Sequence, residues 1–126
     1  MVLNVISYQK LVLNIAHRLF DADENNKPLH GHTWVVEVYF RGEPTEDGLL
    51  VDNKGIERYF ENNWNNRVLL NASDPLGATL AYAGLPFVPM VGNPTPENIA
   101  RRIQQDLRAQ RVLVRETAET VVEYPG

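Results

Sequence analysis

The three histidines of this 126-residue chain fall in two places: His17 closes one apolar run and His30-Gly31-His32 opens the next. In an extended strand, residues i and i+2 point to the same face, so His30 and His32 project side by side, roughly 6–7 Å apart at the backbone. An imidazole from a neighbouring strand completes a three-nitrogen set. That is the ligand complement of a catalytic zinc, whose fourth position stays open for water or substrate. Histidines unrelated to one another would fall at scattered positions; here the entire histidine content enters one pattern. The sequence predicts a Zn2+ site at His17, His30 and His32.

The elements that must position them can be read from periodicity. From about Asn4 to Leu19 the residues alternate, with Leu11, Leu13, Ile15 and His17 on one face and Val12, Asn14, Ala16 and Arg18 on the other, as in a long strand. Asp21 to Pro28 is a polar, turn-rich loop. His32 to Arg41 alternates again, Trp34, Val36, Val38 and Phe40 against Thr33, Val35, Glu37 and Tyr39. The two runs predict an antiparallel hairpin with histidines on both arms. From Asn53 to about Asn66 the period changes: Ile56, Tyr59, Phe60 and Trp64 share one helical face. Asn71 to Asn93 has no clean period and is long for a loop, which marks it as functional or as an interface. Thr95-Pro96-Glu97 starts a second helix, with Thr as N-cap, Pro at N1 and an acid in the first turn. Ile99, Ile103 and Leu107 continue it, and Val112–Glu116 and Thr120–Tyr124 form two short strands. The expectation is one domain over residues 1–126, of class α+β: a four-stranded antiparallel sheet (ββααββ) with two helices on one face. Apolar residues on both faces of the first hairpin point to a homo-oligomer.

Composition narrows the function. At 44% hydrophobic and 22% charged the chain is ordinary for a globular domain. A net charge of −4 argues against general nucleic-acid binding. The late arginines (Arg101, Arg102, Arg108, Arg111, Arg115) are interleaved with Asp106, Glu116 and Glu119, as on a solvated face. No stretch approaches the ~20 apolar residues that span a bilayer. Met1-Val2-Leu3-Asn4 lacks the basic region and cleavage site of a signal peptide, so the expected compartment is the cytoplasm. The absence of cysteine excludes disulfides, thiolate ligands and a cysteine nucleophile.

Six short stretches, in order along nearly the whole chain, carry a resemblance: Ala16-His17-Arg18-Leu19, Leu29-His30-Gly31-His32, Leu50-Val51-Asp52, Arg67-Val68-Leu69-Leu70-Asn71, Pro94-Thr95-Pro96-Glu97-Asn98 and Glu116-Thr117. Together they resemble the 6-pyruvoyl-tetrahydropterin synthase family, which includes the 6-carboxytetrahydropterin synthases of queuosine biosynthesis. The resemblance implies a T-fold, in which subunits pair by their sheet edges into an oligomeric barrel, commonly a trimer stacked as a hexamer, with active sites at subunit interfaces. It implies a lyase acting on dihydroneopterin triphosphate or a related pterin, in queuosine or tetrahydrobiopterin biosynthesis. It assigns zinc to His17, His30 and His32 and makes Glu116 the pterin anchor, with Thr117 and Thr95 as neighbouring substrate-binding residues. A carboxylate suits that role because it can accept two parallel hydrogen bonds from the 2-amino and ring N–H groups.

The chain departs from the family at the acid–base residues. Asn26 stands where the family usually has cysteine. Asn65 and Asn66 stand where it usually has an aspartate–histidine pair, and Asn53 replaces a phenylalanine. An amide cannot shuttle protons near neutral pH. Glu24, in the loop before His-Gly-His, is the candidate catalytic residue, since some members of the wider family use a glutamate there; water polarised by zinc is the other source of a base. Three functions follow: a zinc-dependent pterin lyase with altered catalysis, a pterin-binding protein or partner subunit without turnover, or a structural T-fold oligomer.

Overall fold

The protein's structure, a computed structural model, describes residues 4–21 and 28–126. Its elements in chain order are β1 (Val5–His17), β2 (His30–Gly42), α1 (Asn53–Asn63), β3 (Arg67–Asn71), α2 (Leu76–Tyr82), β4 (Val88–Met90), α3 (Pro96–Leu107), β5 (Arg111–Arg115) and β6 (Val121–Pro125). The two alternating runs pair antiparallel along their whole length, from Val5↔Gly42 to His17↔His30. β5 and β6 extend this hairpin antiparallel on the β2 side.

The expected four-stranded antiparallel sheet is corrected to a six-stranded mixed sheet of order β4-β3-β1-β2-β5-β6. β3 runs parallel to β1 over Ile15↔Arg67 to His17↔Leu69, and β4 runs parallel to β3. The physical reason lies in β3 itself. Leu69 and Leu70 point to opposite faces and both are fully buried. A strand covered on both sides reads as a continuous apolar run, which periodicity cannot assign. The segment 71–93 likewise holds α2 and β4 rather than one long loop. α2 has seven residues, and its buried Gly77 admits the Phe87 ring so closely that a Cβ would lie 2.7 Å from it. Two short elements joined by such a contact leave no amphipathic period.

One face of the sheet carries the core. Leu13, Ile15, Trp34, Val36, Val38, Val112 and Val114 pack against Ile56, Phe60 and Trp64 of the first helical segment and Ile99, Ala100 and Ile103 of α3. The 3.6-residue period expected for both helices is the face each buries. Asp52 caps α1 by accepting from Gly55 N–H, and Thr95 caps α3 by accepting from Asn98 N–H, with Pro96 at the first turn. On the opposite face Ile6, Tyr8 and Val12 are exposed. Among the described residues no strand pairs with Val5–Asn14 on the β3 side, and β6 ends the sheet at its other edge. No helix among the described residues is long and apolar enough to cross a membrane.

Candidate metal centre

Strand register alone brings the histidines together. His17 and His30 are directly opposite in the β1–β2 ladder, and His32 lies opposite Ile15, two residues along the same face. β5 pairs Arg115 with Val35, so Glu116 follows beside Trp34 and shares the inward parity of Val112 and Val114. One ligand atom from each of His17, His30, His32 and Glu116 lies within 4.8 Å of all the others. The ring centroids are 4.7 Å apart for His17–His30, 4.6 Å for His30–His32 and 5.5 Å for His17–His32. Trp34 closes the floor, edge-on to His17 at 5.0 Å and His32 at 5.9 Å, with its indole N–H donating to Ile15 O.

Backbone carbonyls set the tautomers. His17 Nδ1 lies 2.7 Å from Pro94 O, and His30 Nδ1 lies 2.8 Å from Pro28 O. A carbonyl only accepts, so each Nδ1 carries the proton and each Nε2 presents a lone pair, the arrangement of a metal-ligating imidazole held from behind. His17 is buried, and its pKa falls below the ordinary histidine value. Burial is the main cause; the Pro94 contact and Glu116 pull it back up, while His30 and His32 push it down. It is therefore neutral and ready to ligate at pH 7.

The Nε2 atoms of His17 and His32 are buried and have no hydrogen-bond partner. Both nevertheless lie close to Glu116 Oε1, at 3.4 and 3.2 Å. With its proton on Nδ1, His17 turns a lone pair toward a carboxylate oxygen, a costly arrangement that a cation between them would relieve. Three imidazole nitrogens and a carboxylate oxygen suit zinc, and no thiolate is needed. The residues present fit that ion.

Further residues, not anticipated from sequence, hold this arrangement. Asn93 Oδ1 accepts from Phe20 N–H and from Asn71 Nδ2, Asn93 Nδ2 donates to Phe20 O, and Asn98 Nδ2 donates to Asn93 O. This clamp fixes the peptide that offers Pro94 O to His17. Next to it, Arg18 grips the buried Asp74 with two hydrogen bonds, of 2.7 and 2.5 Å. The Arg18 guanidinium holds the Asp74 carboxyl below the usual carboxylate range, and Asp74 in turn accepts from Leu76 N–H at the start of α2. Asn93 and Asn98 sit in a stretch readable as a helix start, but a carbonyl ligand-support has no side-chain signature.

The remaining expected site residues divide. Thr95 Oγ1 is the N-cap of α3. Thr117 Oγ1 accepts from Glu119 and Thr120 N–H in the β5–β6 turn. Asn65 Oδ1 accepts from Asn14 N–H while its Nδ2 donates to Glu61. Asn66 adopts φ 56° and donates its N–H to Asn14 O, a left-handed conformation that asparagine tolerates well. The two asparagines thus splice the end of α1 onto β1. Glu24 and Asn26 lie outside the described residues.

A mixed sheet backed by helices, with three histidines converging from a hairpin on a carboxylate, defines an α+β protein whose side chains gather as a candidate metal site. Residues 7–126 match the sequence profile of 6-pyruvoyl tetrahydropterin synthase, and the chain belongs to that family. A Halobacterium salinarum protein named as a probable 6-carboxy-5,6,7,8-tetrahydropterin synthase is 33% identical over 72 residues, which are 57% of this chain and 47% of that relative; the chain thus spans about half the relative's length. An uncharacterized Wolinella succinogenes protein superposes with a TM-score of 0.74 at 18% identity, covering 98% of this chain and 99% of that one. The Plasmodium vivax 6-pyruvoyltetrahydropterin synthase, solved with its catalytic glutamate replaced by alanine, superposes with a TM-score of 0.66 at 14% identity over 95% of this chain and 97% of its own.

Zinc should stabilise the folded chain by mass action, by about 2.7 kcal/mol at a free concentration a hundred times Kd. Thermal unfolding at pH 7.5 is expected to shift upward on adding zinc and to return with a chelator. His17→Ala and His32→Ala should each remove most of that shift. An unchanged midpoint in the wild type, or a full shift in both variants, would exclude the site.

Proposed function

We propose that the chain is a zinc-dependent pterin synthase of the 6-pyruvoyl or 6-carboxytetrahydropterin type, acting on dihydroneopterin triphosphate or a related pterin, with weakened carbon–oxygen or carbon–carbon lyase activity. The observation that carries this reading is the convergence of three imidazoles, two of them oriented by carbonyls, in a chain of this family. His17, His30 and His32 hold the ion. Bound there, zinc supplies a positive charge that polarises oxygen on the substrate side chain and acidifies the adjacent C–H. Glu116 accepts hydrogen bonds from the pterin ring, Thr117 and Thr95 border it, and Trp34 excludes water from beneath. Glu24 moves the proton; the catalytic glutamate of the Plasmodium vivax relative supports a carboxylate in that role. A place in queuosine or tetrahydrobiopterin biosynthesis, in the cytoplasm, goes with this reading.

A second reading has a specific observation behind it. Asn65 and Asn66 are committed to holding α1 against β1, so neither serves a proton relay. A pterin-binding protein or partner subunit without turnover would have the same metal set and the same anchor.

Assembly as a homo-oligomer, a trimer or hexamer, is supported by the Val5–Asn14 stretch of β1, which pairs with no strand on its β3 side among the described residues, and by the terminal β6, because exposed sheet edges are normally paired or covered. Light scattering at micromolar concentration should report a multiple of three chains; a stable monomer would refute the assembly and any interfacial active site.

Catalysis is tested by incubating zinc-loaded protein with dihydroneopterin triphosphate and identifying products by mass spectrometry. Slow turnover, further reduced by Glu24→Gln, is expected. Asn26→Cys with Asn65→Asp and Asn66→His should raise the rate by about 10²–10⁴-fold. Glu61→Gln belongs in the same variant, because an aspartate at 65 would otherwise face the Glu61 carboxylate at a position where Asn65 now donates at 3.0 and 3.2 Å. Pterin binding with no product in either protein would favour the second reading.

A further inference from the structure

We propose that in the substrate-free protein the Glu116 carboxylate is the fourth ligand of the metal, and that it must leave the metal to hold a pterin, so the centre is latched until substrate arrives. This inference rests on the zinc–pterin reading above and adds to it a closed resting state.

The distances carry the proposal. A tetrahedral zinc with bonds of about 2.0–2.2 Å has ligand–ligand edges of roughly 3.3–3.6 Å. Glu116 Oε1 stands 3.4 Å from His17 Nε2 and 3.2 Å from His32 Nε2, within about 0.1 Å of the spacing of neighbouring vertices. These approaches are not hydrogen bonds: both nitrogens are buried without a hydrogen-bond partner, and His17 keeps its proton on Nδ1 toward Pro94 O. An oxygen placed this way belongs inside the ligand set. A pterin anchor acting through the ring alone has no reason to stand at the vertices of the metal.

Glu116 is also built to move. It lies just beyond the end of β5, outside the ladder, and its side chain retains 19% of its exposure. Ligation leaves no open position for water, so the resting centre is protected from adventitious chemistry. A pterin offers the carboxylate two parallel N–H donors in exchange for the metal. Only a pterin whose C6 side chain brings its own oxygen also restores the fourth ligand. The latch therefore selects for hydroxylated side chains, and a bare pterin ring competes with the metal for the same carboxylate. By linkage, the metal must then weaken binding of the bare ring by the same factor that the ring weakens metal binding.

Cobalt(II) is the probe, read by its visible absorption. In the wild type the spectrum should stay constant from pH 6 to 9 and should not respond to millimolar azide, because no water occupies the fourth position. Glu116→Ala and Glu116→Gln should each open that position, giving a pH-dependent spectrum with a midpoint near that of a metal-bound water, about 7, and an azide-induced band. Cobalt affinity should fall by about 100-fold or more in Glu116→Ala, beyond the 10–100-fold typical of losing an outer-shell partner. Unsubstituted pterin should bind the metal-free wild type at least tenfold more tightly than the cobalt form. A wild type whose spectrum already titrates near pH 7 and takes up azide as the variants do would overturn the latch while leaving the zinc–pterin reading intact. Failure of the wild type to bind cobalt or zinc would overturn both.

Discussion

The whole site depends on the register of the β1–β2 hairpin. Thirteen residues on each strand are paired, and side-chain direction in a strand has period two, so a slip of one residue would move every inward side chain to the other face. Depending on which strand moved, that slip would expose Leu13 and Ile15 or Trp34, Val36 and Val38, all buried in the core. The burial that selects the register also fixes where His17, His30 and His32 point, because they continue the same inward rows beyond the last apolar residues. The candidate metal centre is the end of the hydrophobic core, with imidazoles in place of aliphatic side chains.

Packing then supplies electrostatics. His17 is 2% exposed, and its burial alone would leave a polar ring without partners. The clamp built on Asn93 brings a carbonyl to one nitrogen and leaves the other free, so desolvation and hydrogen bonding together produce a neutral ring with a directed lone pair. The Arg18–Asp74 pair ties the residue after His17 to the start of α2. Breaking one side of this pair would leave a buried charge without its partner, which is strongly destabilising.

The parts legible in the sequence were those with a regular period or a distinctive side chain. The β1 and β2 rows, the faces of α1 and α3, the Thr95 cap and the histidine pattern all follow from alternation, helical spacing or residue type. β3 was hidden because Leu69 and Leu70 are buried on opposite faces, which erases alternation. β4 and α2 are too short to show a period. The Pro94 and Pro28 carbonyls were invisible because every residue has one, and only tertiary geometry decides which faces an imidazole. Asn65 and Asn66 stand out in the sequence only through the resemblance, as amides where acid–base groups are expected; that they join α1 to β1 has no sequence signal, since that role requires knowing that β3 runs beside β1.

The fold brings one ligand atom from each of three imidazoles and a carboxylate within 4.8 Å of one another. The central claim is therefore the centre itself, and X-ray absorption at the zinc edge of the reconstituted protein addresses it most directly. One tightly bound zinc per chain, with three imidazole nitrogens and one oxygen at about 2.0–2.2 Å, is the expected result. Six oxygen-dominated ligands, or fewer than two imidazoles, would contradict it.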